Sequence, residues 1–430
     1  MNVLVVGGGG REHAICWALR KSPRVDALYC APGNAGIAQV AQCVGIKAAE
    51  VGEMVKFSVE RSIDLVVVSP DEPLALGMVD ALEAAGVRAF GPRGNAAILE
   101  SSKVFSKELM SKYSIPTAEY RVFTDSDEAK VYINEVGAPI VVKADGLALG
   151  KGAIVSATVK SAMQSVDTIM LDRKFGDSGK RIIVEKYMTG PEVTVLAFTD
   201  GKTITPMLSS QDHKRAYSGD LGPNTGGMGA FCPSPNYTEE IANVCMRTIF
   251  RPTIDAMNAE GRPYKGVIYF GLMLTWEGPR VVEYNARFGD PEAQPILSLL
   301  KTDLLDIFEA VVDERLDELS IEWIDGHACC VVLASGGYPE NYKIGYEITG
   351  LDKVPGNVTV FHAGTARSGK ALVTNGGRVL GVTAVGNSLA TASALAYKGI
   401  RCIDFRGAHY RSDIGRIDGA PDPMYTGFAR

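Results

Sequence analysis

The chain has 430 residues, of which 46% are hydrophobic and 22% charged, with a formal net charge of −6. That length exceeds what one hydrophobic core spans and predicts two to four domains of ordinary globular composition. The acidic balance excludes bulk attraction to nucleic acid or to an anionic membrane, so an anionic ligand would have to be gripped locally.

Residues 3–6 are an apolar run that begins without a basic leader, and no apolar run approaches membrane-spanning length, which predicts a soluble, cytoplasmic protein. Eight cysteines are scattered without a CxxC pair or histidines at zinc spacing, as reduced thiols would be. Over the first hundred residues, strands at 3–6, 27–30, 65–68 and 88–90 alternate with helices from about Arg11 and after Glu72. That order predicts a small parallel α/β layer whose loops gather at the carboxyl ends of its strands. Three loops share a chemistry: Gly7-Gly-Gly-Gly-Arg-Glu-His13, Ala31-Pro-Gly-Asn-Ala-Gly36 and Gly91-Pro-Arg-Gly-Asn95. Glycines let backbone N–H groups come close to a phosphate, and a following helix adds its positive dipole end. The dinucleotide fingerprint fails, because Gly7-x-Gly9 is followed by Glu12 and the second strand ends at Cys30-Ala31 without a ribose-binding acid. A sugar phosphate fits these loops better.

From Ser101 the pattern becomes α+β. A helix carrying Lys103 leads to a strand at 120–123, a helix at 125–136 and a strand at 138–143. The loop Ala144-Asp-Gly-Leu-Ala-Leu-Gly-Lys-Gly152 follows, then a strand at 153–155, a helix at 160–173 and a strand at 181–187. A glycine loop between two short strands reads as a flap, with Lys143 at the strand end before it and Lys151 inside it. Gly150-Lys151-Gly152 lacks the Ser or Thr of a Walker pattern, but lysine and loop amides hold phosphate without one. A simple turn is the plain alternative.

The strand from Ile182 runs through Gly190-Pro191 to Val195 and crosses into a larger sheet, which puts Glu192 where a carboxylate can take a ribose diol. After a hairpin at Asp200-Gly201, Gln211 to Gly229 reads as a long structureless loop, and its Asp212, His213, Lys214, Asn224 and paired glycines favour a functional one. Gly266 to Asp290 is a hairpin turned at Glu277-Gly278-Pro279, with its second strand at 281–287. Alternation along that strand predicts Glu283, Asn285 and Arg287 on one face, and Val282, Tyr284 and Ala286 on the other. Carboxylate and amide oxygens suit Mg²⁺ shared with phosphates, and a neighbouring Arg suits a carboxylate or acyl phosphate. A solvated charged sheet face is the competing interpretation. The five histidines are too dispersed for a metal site. From Cys329 onward, strands and a helix surround an Asn375-Gly-Gly turn that carries only a hairpin signal.

Taken together, Val5-Val-Gly-Gly-Gly-Gly-Arg-Glu-His13, Ala31-Pro-Gly-Asn-Ala-Gly36, the segment Lys143 to Gly152, Gln211-Asp-His-Lys214, Gly222-Pro-Asn-Thr-Gly-Gly-Met-Gly229 and Glu283-Tyr-Asn-Ala-Arg-Phe-Gly-Asp-Pro-Glu292 resemble the ATP-grasp superfamily. Within it, essentially the whole chain resembles the phosphoribosylamine–glycine ligase family of purine synthesis. The resemblance implies an α/β and α+β multidomain protein: a Rossmann-like pre-ATP-grasp domain at 1–101, an ATP-grasp core at 102–120 and 190–325, a mobile lid at 121–189 and a small α+β domain at 326–430. It implies that Lys103, Lys143 and Lys214 hold ATP together with the flap at Gly150, Lys151 and Gly152. Glu185 and the backbone at Lys186, Tyr187 and Met188 would take adenine, with Glu192 on the ribose. Glu283 and Asn285 would hold Mg²⁺, Mn²⁺ being the possible substitute.

Arg287, Lys143 and Asp212 are the implied catalytic residues. Asp212, Thr225, Gly226, Gly227, Met228 and Arg287 would form the glycine and amine pocket, and Gly9, Gly10, Arg11, Glu12, Pro32, Gly33 and Asn34 would take the ribose phosphate. The implied activity is an ATP-dependent carboxylate–amine ligation of glycine to 5-phosphoribosylamine through glycyl phosphate, by a monofunctional enzyme that is a monomer or weak homodimer. One departure from the wider superfamily stands at Gly271-Leu-Met-Leu, where many members carry a further acid. The alternatives are another ATP-grasp ligase or carboxylase acting on a ribonucleotide, or a nucleotide sensor without turnover. A sensor would not need Glu283, Asn285 and Arg287.

Overall fold

The structure, a computed structural model, describes residues 1–148 and 152–416. Strands β1 (Asn2–Gly7), β2 (Ala27–Pro32), β3 (Gln42–Cys43), β4 (Leu65–Val68) and β5 (Ala89–Phe90) form a parallel sheet in the order β3-β2-β1-β4-β5. Strands β1 and β4 carry unbroken aliphatic runs, at 3–6 and 65–68, because both faces of a parallel sheet are covered. Their alternation divides them between two cores: Leu4, Val6, Val66 and Val68 enter one, and Val3, Val5, Leu65 and Val67 the other.

Strands β6 (Tyr120–Phe123), β7 (Ile140–Ala144), β8 (Ala153–Ser156) and β9 (Ile182–Lys186) form an antiparallel sheet in the order β6-β9-β7-β8. With the helices Ser126–Val136 and Val159–Val166 it closes a small core of its own around Phe123, Ile133, Val142, Ile169 and Val184. None of those residues joins the two central cores. An element that shares no core with its neighbours opens at a lower free-energy cost than the body it rests on.

The central sheet begins with β10 (Glu192–Thr199) and β11 (Ile204–Pro206). The chain then makes β12 (Gln211–Asp212), β13 (Arg215–Tyr217), β14 (Leu221–Asn224) and β15 (Gly229–Cys232) before β16 (Gly266–Thr275) and β17 (Gly278–Asn285) complete the order β11-β10-β16-β17. Val193, Val195 and Ala197 of β10 enter the first core of the amino-terminal layer, and Leu196 and Phe198 enter the second. The two sheets are therefore one packed body. The carboxy-terminal strands are β18 (His327–Ser335), β19 (Val358–His362), β20 (Thr365–Ser368), β21 (Ala371–Thr374), β22 (Arg378–Gly386) and β23 (Ala408–His409). Their main sheet runs β12-β15-β18-β22-β19, with β23 also on β18 and the helix Leu389–Ile400 across it, so it recruits two strands from the preceding segment.

Four local expectations change. The strand expected through Ile182 to Val195 is two strands in different sheets, broken at Gly190, where an added Cβ would sit 2.1 Å from the Leu274 carbonyl oxygen. The helix expected at 160–173 is regular only over Val159–Val166 and widens into a π turn at Asp167–Leu171. The segment Gln211 to Gly229 is not structureless: β13 and β14 pair as a hairpin, and β12 and β15 join the carboxy-terminal sheet. Strand β17 ends at Asn285, so Arg287 lies beyond it.

The amino- and carboxy-terminal regions meet through two buried histidines. His13 Nδ1 accepts the His362 backbone N–H at 2.7 Å, and burial beside His362 pushes the His13 imidazole down to about 3. Burial likewise lowers His362 and His213 to about 4. The unfolded chain takes up these protons near 6.5 and the folded chain does not, so the unfolded state binds more protons below that pH and stability rises with pH. Stability is expected to be retained above pH 6.5 and to fall towards pH 4, at up to about 1.4 kcal/mol per pH unit for each histidine. Urea midpoints measured from pH 7 to pH 5 check this, and a constant midpoint would contradict it.

Candidate active site

A cavity of about 1580 Å³ opens between the central sheet, the small β6-β9 unit and the β13-β14 hairpin. Ligand pockets commonly hold roughly 300–1000 Å³, so there is room for a nucleotide and further substrates.

Strand β17 supplies one wall. A β-bulge at Val282 shifts the register, so that Gly271 faces Glu283 while Leu272 faces Val281. Val281 therefore joins Tyr284 and Ala286 in the core, and Val282 turns to the cavity, against simple alternation. Glu283, Asn285 and Arg287 still line the same cavity. An added Cβ at Gly271 would stand 3.3 Å from Glu283 Cγ, so a larger residue there would crowd the carboxylate. Burial pushes the Glu283 carboxyl up, but Lys214, Lys143, Lys103 and Arg287 outweigh it and hold it below its usual range. Asn285 Oδ1 accepts from Arg287 Nη2 at 3.2 Å.

An ionised carboxylate beside an amide oxygen suits a hard divalent cation. Among the described residues no group of three or more His, Cys, Asp or Glu converges as a metal cage. A cation here would take its remaining oxygens from phosphate, which is how Mg²⁺ binds with nucleotides.

Arg287 is itself held: its Nη2 lies 2.9 Å from Glu100 Oε1, and Glu100 Oε2 accepts the Ala286 N–H. Burial opposes the guanidinium charge, and Glu100 with Asp71 more than restores it. Among the described residues its buried Nε has no hydrogen-bond partner.

The opposite wall carries lysines. Lys143, at 4% exposure, pairs with Glu185 Oε2 at 3.0 Å and donates to the Val282 carbonyl at 2.9 Å, which ties β7 to β17. Lys103 begins the helix Lys103–Lys112 and donates to the Gly146 carbonyl at the foot of the flap; burial lowers its ammonium against Glu283. Asp145 Oδ1 accepts from Ser102 Oγ and the Val104 N–H, fastening the flap base to that helix. Glu185, Lys186, Tyr187, Met188, Glu192 and Gly152 also face the cavity. Gly150 and Lys151 lie outside the described residues.

Lys214 bridges the walls, 3.2 Å from Glu192 Oε2 and 3.7 Å from Glu283 Oε1. Burial works against its charge, and those two acids hold it well above its ordinary range. Burial with Glu292 nearby raises the Asp212 carboxyl well above its usual value, and burial raises Glu292 too, so this acidic corner favours a proton. Thr225 and Gly226 line the cavity, but Gly227 and Met228 do not. Gly227, at φ +113°, lets the loop lie against Asp212, where an added Cβ would stand 2.7 Å from Oδ1; Met228 is in the interior.

Of the amino-terminal candidates only Arg11 reaches the cavity. Glu12 accepts from the Gly9 N–H at 2.6 Å and from Ser69, and Asn34 spans Gly8, Gly36, Ile37 and His362. These side chains hold the glycine loops in shape. Gly10 lies beside Asp290 and Gln294, while Pro32 and Gly33 stand at the outer end of β2.

Two arginines from the carboxy-terminal region escape sequence reasoning. Arg378 donates to the carbonyls of Gly226 and Asp290, joining loop and cavity floor. Arg411, 1% exposed, binds Asp220, Asp413 and the Arg215 carbonyl and clamps the β13-β14 hairpin. No local motif marks either; Glu292 at least closed a recognised segment.

A cavity gripped between an antiparallel sheet with a carboxylate–amide pair and a separate α+β unit with buried lysines defines the ATP-grasp class. The biotin carboxylase domain of 2-oxoglutarate carboxylase from Hydrogenobacter thermophilus shares the fold at a TM-score of 0.74 and 15% identity, over 95% of this chain and 91% of that one. The chain belongs to the phosphoribosylglycinamide synthetase family, whose N domain matches residues 1–100, ATP-grasp (A) domain 101–293 and C domain 328–417. It is 50% identical to the phosphoribosylamine–glycine ligase of Rhodopirellula baltica, over 96% of this chain and 97% of that protein. It is 49% identical to the trifunctional purine biosynthetic protein adenosine-3 of Gallus gallus, over 96% of this chain and 42% of that longer protein. The crystal structure of the Thermotoga maritima phosphoribosylamine–glycine ligase matches at a TM-score of 0.83 and 31% identity, over 96% and 100% of the two chains.

Proposed function

We propose that the protein joins glycine to 5-phosphoribosylamine with cleavage of ATP to ADP and phosphate, giving glycinamide ribonucleotide for purine synthesis. The observation that carries this is the convergence of Lys103, Lys143, Glu283, Asn285 and Arg287 on one cavity, in a chain whose residues 1–293 and 328–417 match the family's three domains.

The glycine carboxylate takes the γ-phosphoryl group to become glycyl phosphate, and the amine of phosphoribosylamine then attacks the acyl carbon and expels phosphate. Such a transfer needs positioning and charge neutralisation more than covalent help. Lys103 and Lys143 supply positive charge to the phosphates, and Lys151 with the flap residues Gly150 and Gly152 completes the phosphate-binding set in this proposal. The Glu185 to Met188 stretch and Glu192 receive the nucleoside. A divalent cation bound by Glu283 and Asn285 would offset phosphate charge; Mg²⁺ is our reading, with Mn²⁺ second. Arg287 orients the carboxylate and the acyl phosphate.

Asp212, Thr225 and Gly226 shape the amine side, and Arg11 with the glycine loops at Gly9, Gly10 and Gly33 receives the ribose phosphate. Closure of the small β6-β9 unit excludes water, which protects the acyl phosphate from hydrolysis. Among the described residues no helix is long and apolar enough to cross a membrane, and we read the protein as a cytoplasmic monomer or weak homodimer. The test is ADP release with glycine, ATP, divalent cation and freshly generated phosphoribosylamine, each omitted in turn. Turnover is expected only with all four. ADP release coupled to ribonucleotide without glycine would instead favour a carboxylase or another ligase.

A further inference from the structure

Behind the lysine wall lies a second buried ammonium that the cavity does not touch. Lys107, 2% exposed on the helix Lys103–Lys112, stands 3.3 Å from Glu185 Oε2, the oxygen that Lys143 contacts at 3.0 Å. One carboxylate oxygen thus serves two lysines. The other, Oε1, is buried without a partner among the described residues, and Glu185 faces the cavity.

The two lysines differ in freedom. Lys107 Nζ also donates to Thr117 Oγ1 at 2.7 Å and approaches the Ala118 carbonyl at 3.5 Å, while Thr117 Oγ1 donates to the Val281 carbonyl. With the Tyr120 ring 5.5 Å away, it is fixed outside the cavity wall. Lys143 is at the wall itself. A lysine drawn from a buried carboxylate to a ligand leaves an uncompensated charge, and breaking half of a buried pair is strongly unfavourable.

We infer that Lys107 is a positioning residue for nucleotide binding, a resident counter-ion that keeps Glu185 compensated when Lys143 turns from it to a nucleotide phosphate. This rests on the reading of Lys143 as a phosphate lysine. Burial lowers the Lys107 ammonium to about 8 against the pull of Glu185, so it remains charged at neutral pH.

The phosphates are what call Lys143 away, so the consequence depends on the ligand. Binding of ATP and of adenosine is measured by calorimetry or competition, with Mg²⁺ present, on wild type, Lys107→Met, Lys107→Arg and Lys143→Met. Lys107→Met is expected to weaken ATP about tenfold or more and adenosine less than about threefold, with Lys107→Arg recovering most of the loss. Equal weakening of both ligands would make Lys107 a structural residue and overturn the inference, as would unchanged ATP binding. Lys143→Met tests the reading beneath: if it leaves the preference for ATP over adenosine unchanged, that reading fails, whatever Lys107 does. Should Lys107→Met not fold, Lys107→Gln removes the charge, keeps a donor for Thr117 and is judged by the same ratio.

Discussion

Glu283→Gln is expected to lower ligation about a hundredfold or more while the protein stays folded. The substitution preserves shape and removes only the charge that Lys214, Lys143, Lys103 and Arg287 hold in place. An amide is a weaker ligand for a hard cation than a carboxylate, so the divalent-cation concentration for half-maximal rate should rise. Phosphate binding should not suffer, because removal of one negative charge leaves the surrounding lysines less neutralised. The measurements are ADP formation across a Mg²⁺ titration, repeated with Mn²⁺ and after chelation, beside calorimetric nucleotide binding without metal. Wild-type turnover with wild-type metal dependence would reduce Glu283, Asn285 and Arg287 to a charged sheet face.

The second large effect is expected from Arg287→Lys. Lysine can still pair with Glu100, so the buried acid is not abandoned, but it cannot also reach Asn285 Oδ1 and the Phe288 carbonyl from one planar group. Arg287 is anchored by Glu100, Asn285 and the Phe288 carbonyl and lines the cavity, an arrangement that holds a fixed guanidinium towards developing negative charge. Its loss should lower kcat about a hundredfold to a thousandfold and change nucleotide affinity less than about threefold. Steady-state kinetics with glycine varied, beside direct ATP binding, separate the cases. An equal loss of ATP affinity would mean that Arg287 braces the pocket and does not act on the reacting group.

Glu283, Asn285 and Arg287 also show how far spacing alone carries. Their two-residue interval put them on one cavity in the structure, yet the strand stops at Asn285 and a bulge at Val282 exchanges Val281 for Val282 in the core. A bulge is one unpaired residue, and nothing in the local alternation marks it. Lys107 was hidden in a similar way. Four residues past Lys103 on a helix, it reads as one more surface lysine, and only the approach of β9 makes it a buried partner of Glu185.

The sequence by itself determined what depends on near neighbours along the chain: aliphatic runs that must be covered on both faces, glycines where the backbone turns or comes close, and the order of a metal-suited pair. The tertiary structure alone decided what depends on distant segments meeting. It divided the strand through Ile182 at Gly190, drew β12 and β15 into the carboxy-terminal sheet, and sent Arg378 to the loop of Thr225 and Gly226 and Arg411 to the β13-β14 hairpin. The physical reason is that side-chain periodicity is fixed by backbone geometry, whereas register and long-range ion pairs are fixed by which surfaces bury one another. Buried charges must then find partners wherever packing leaves them.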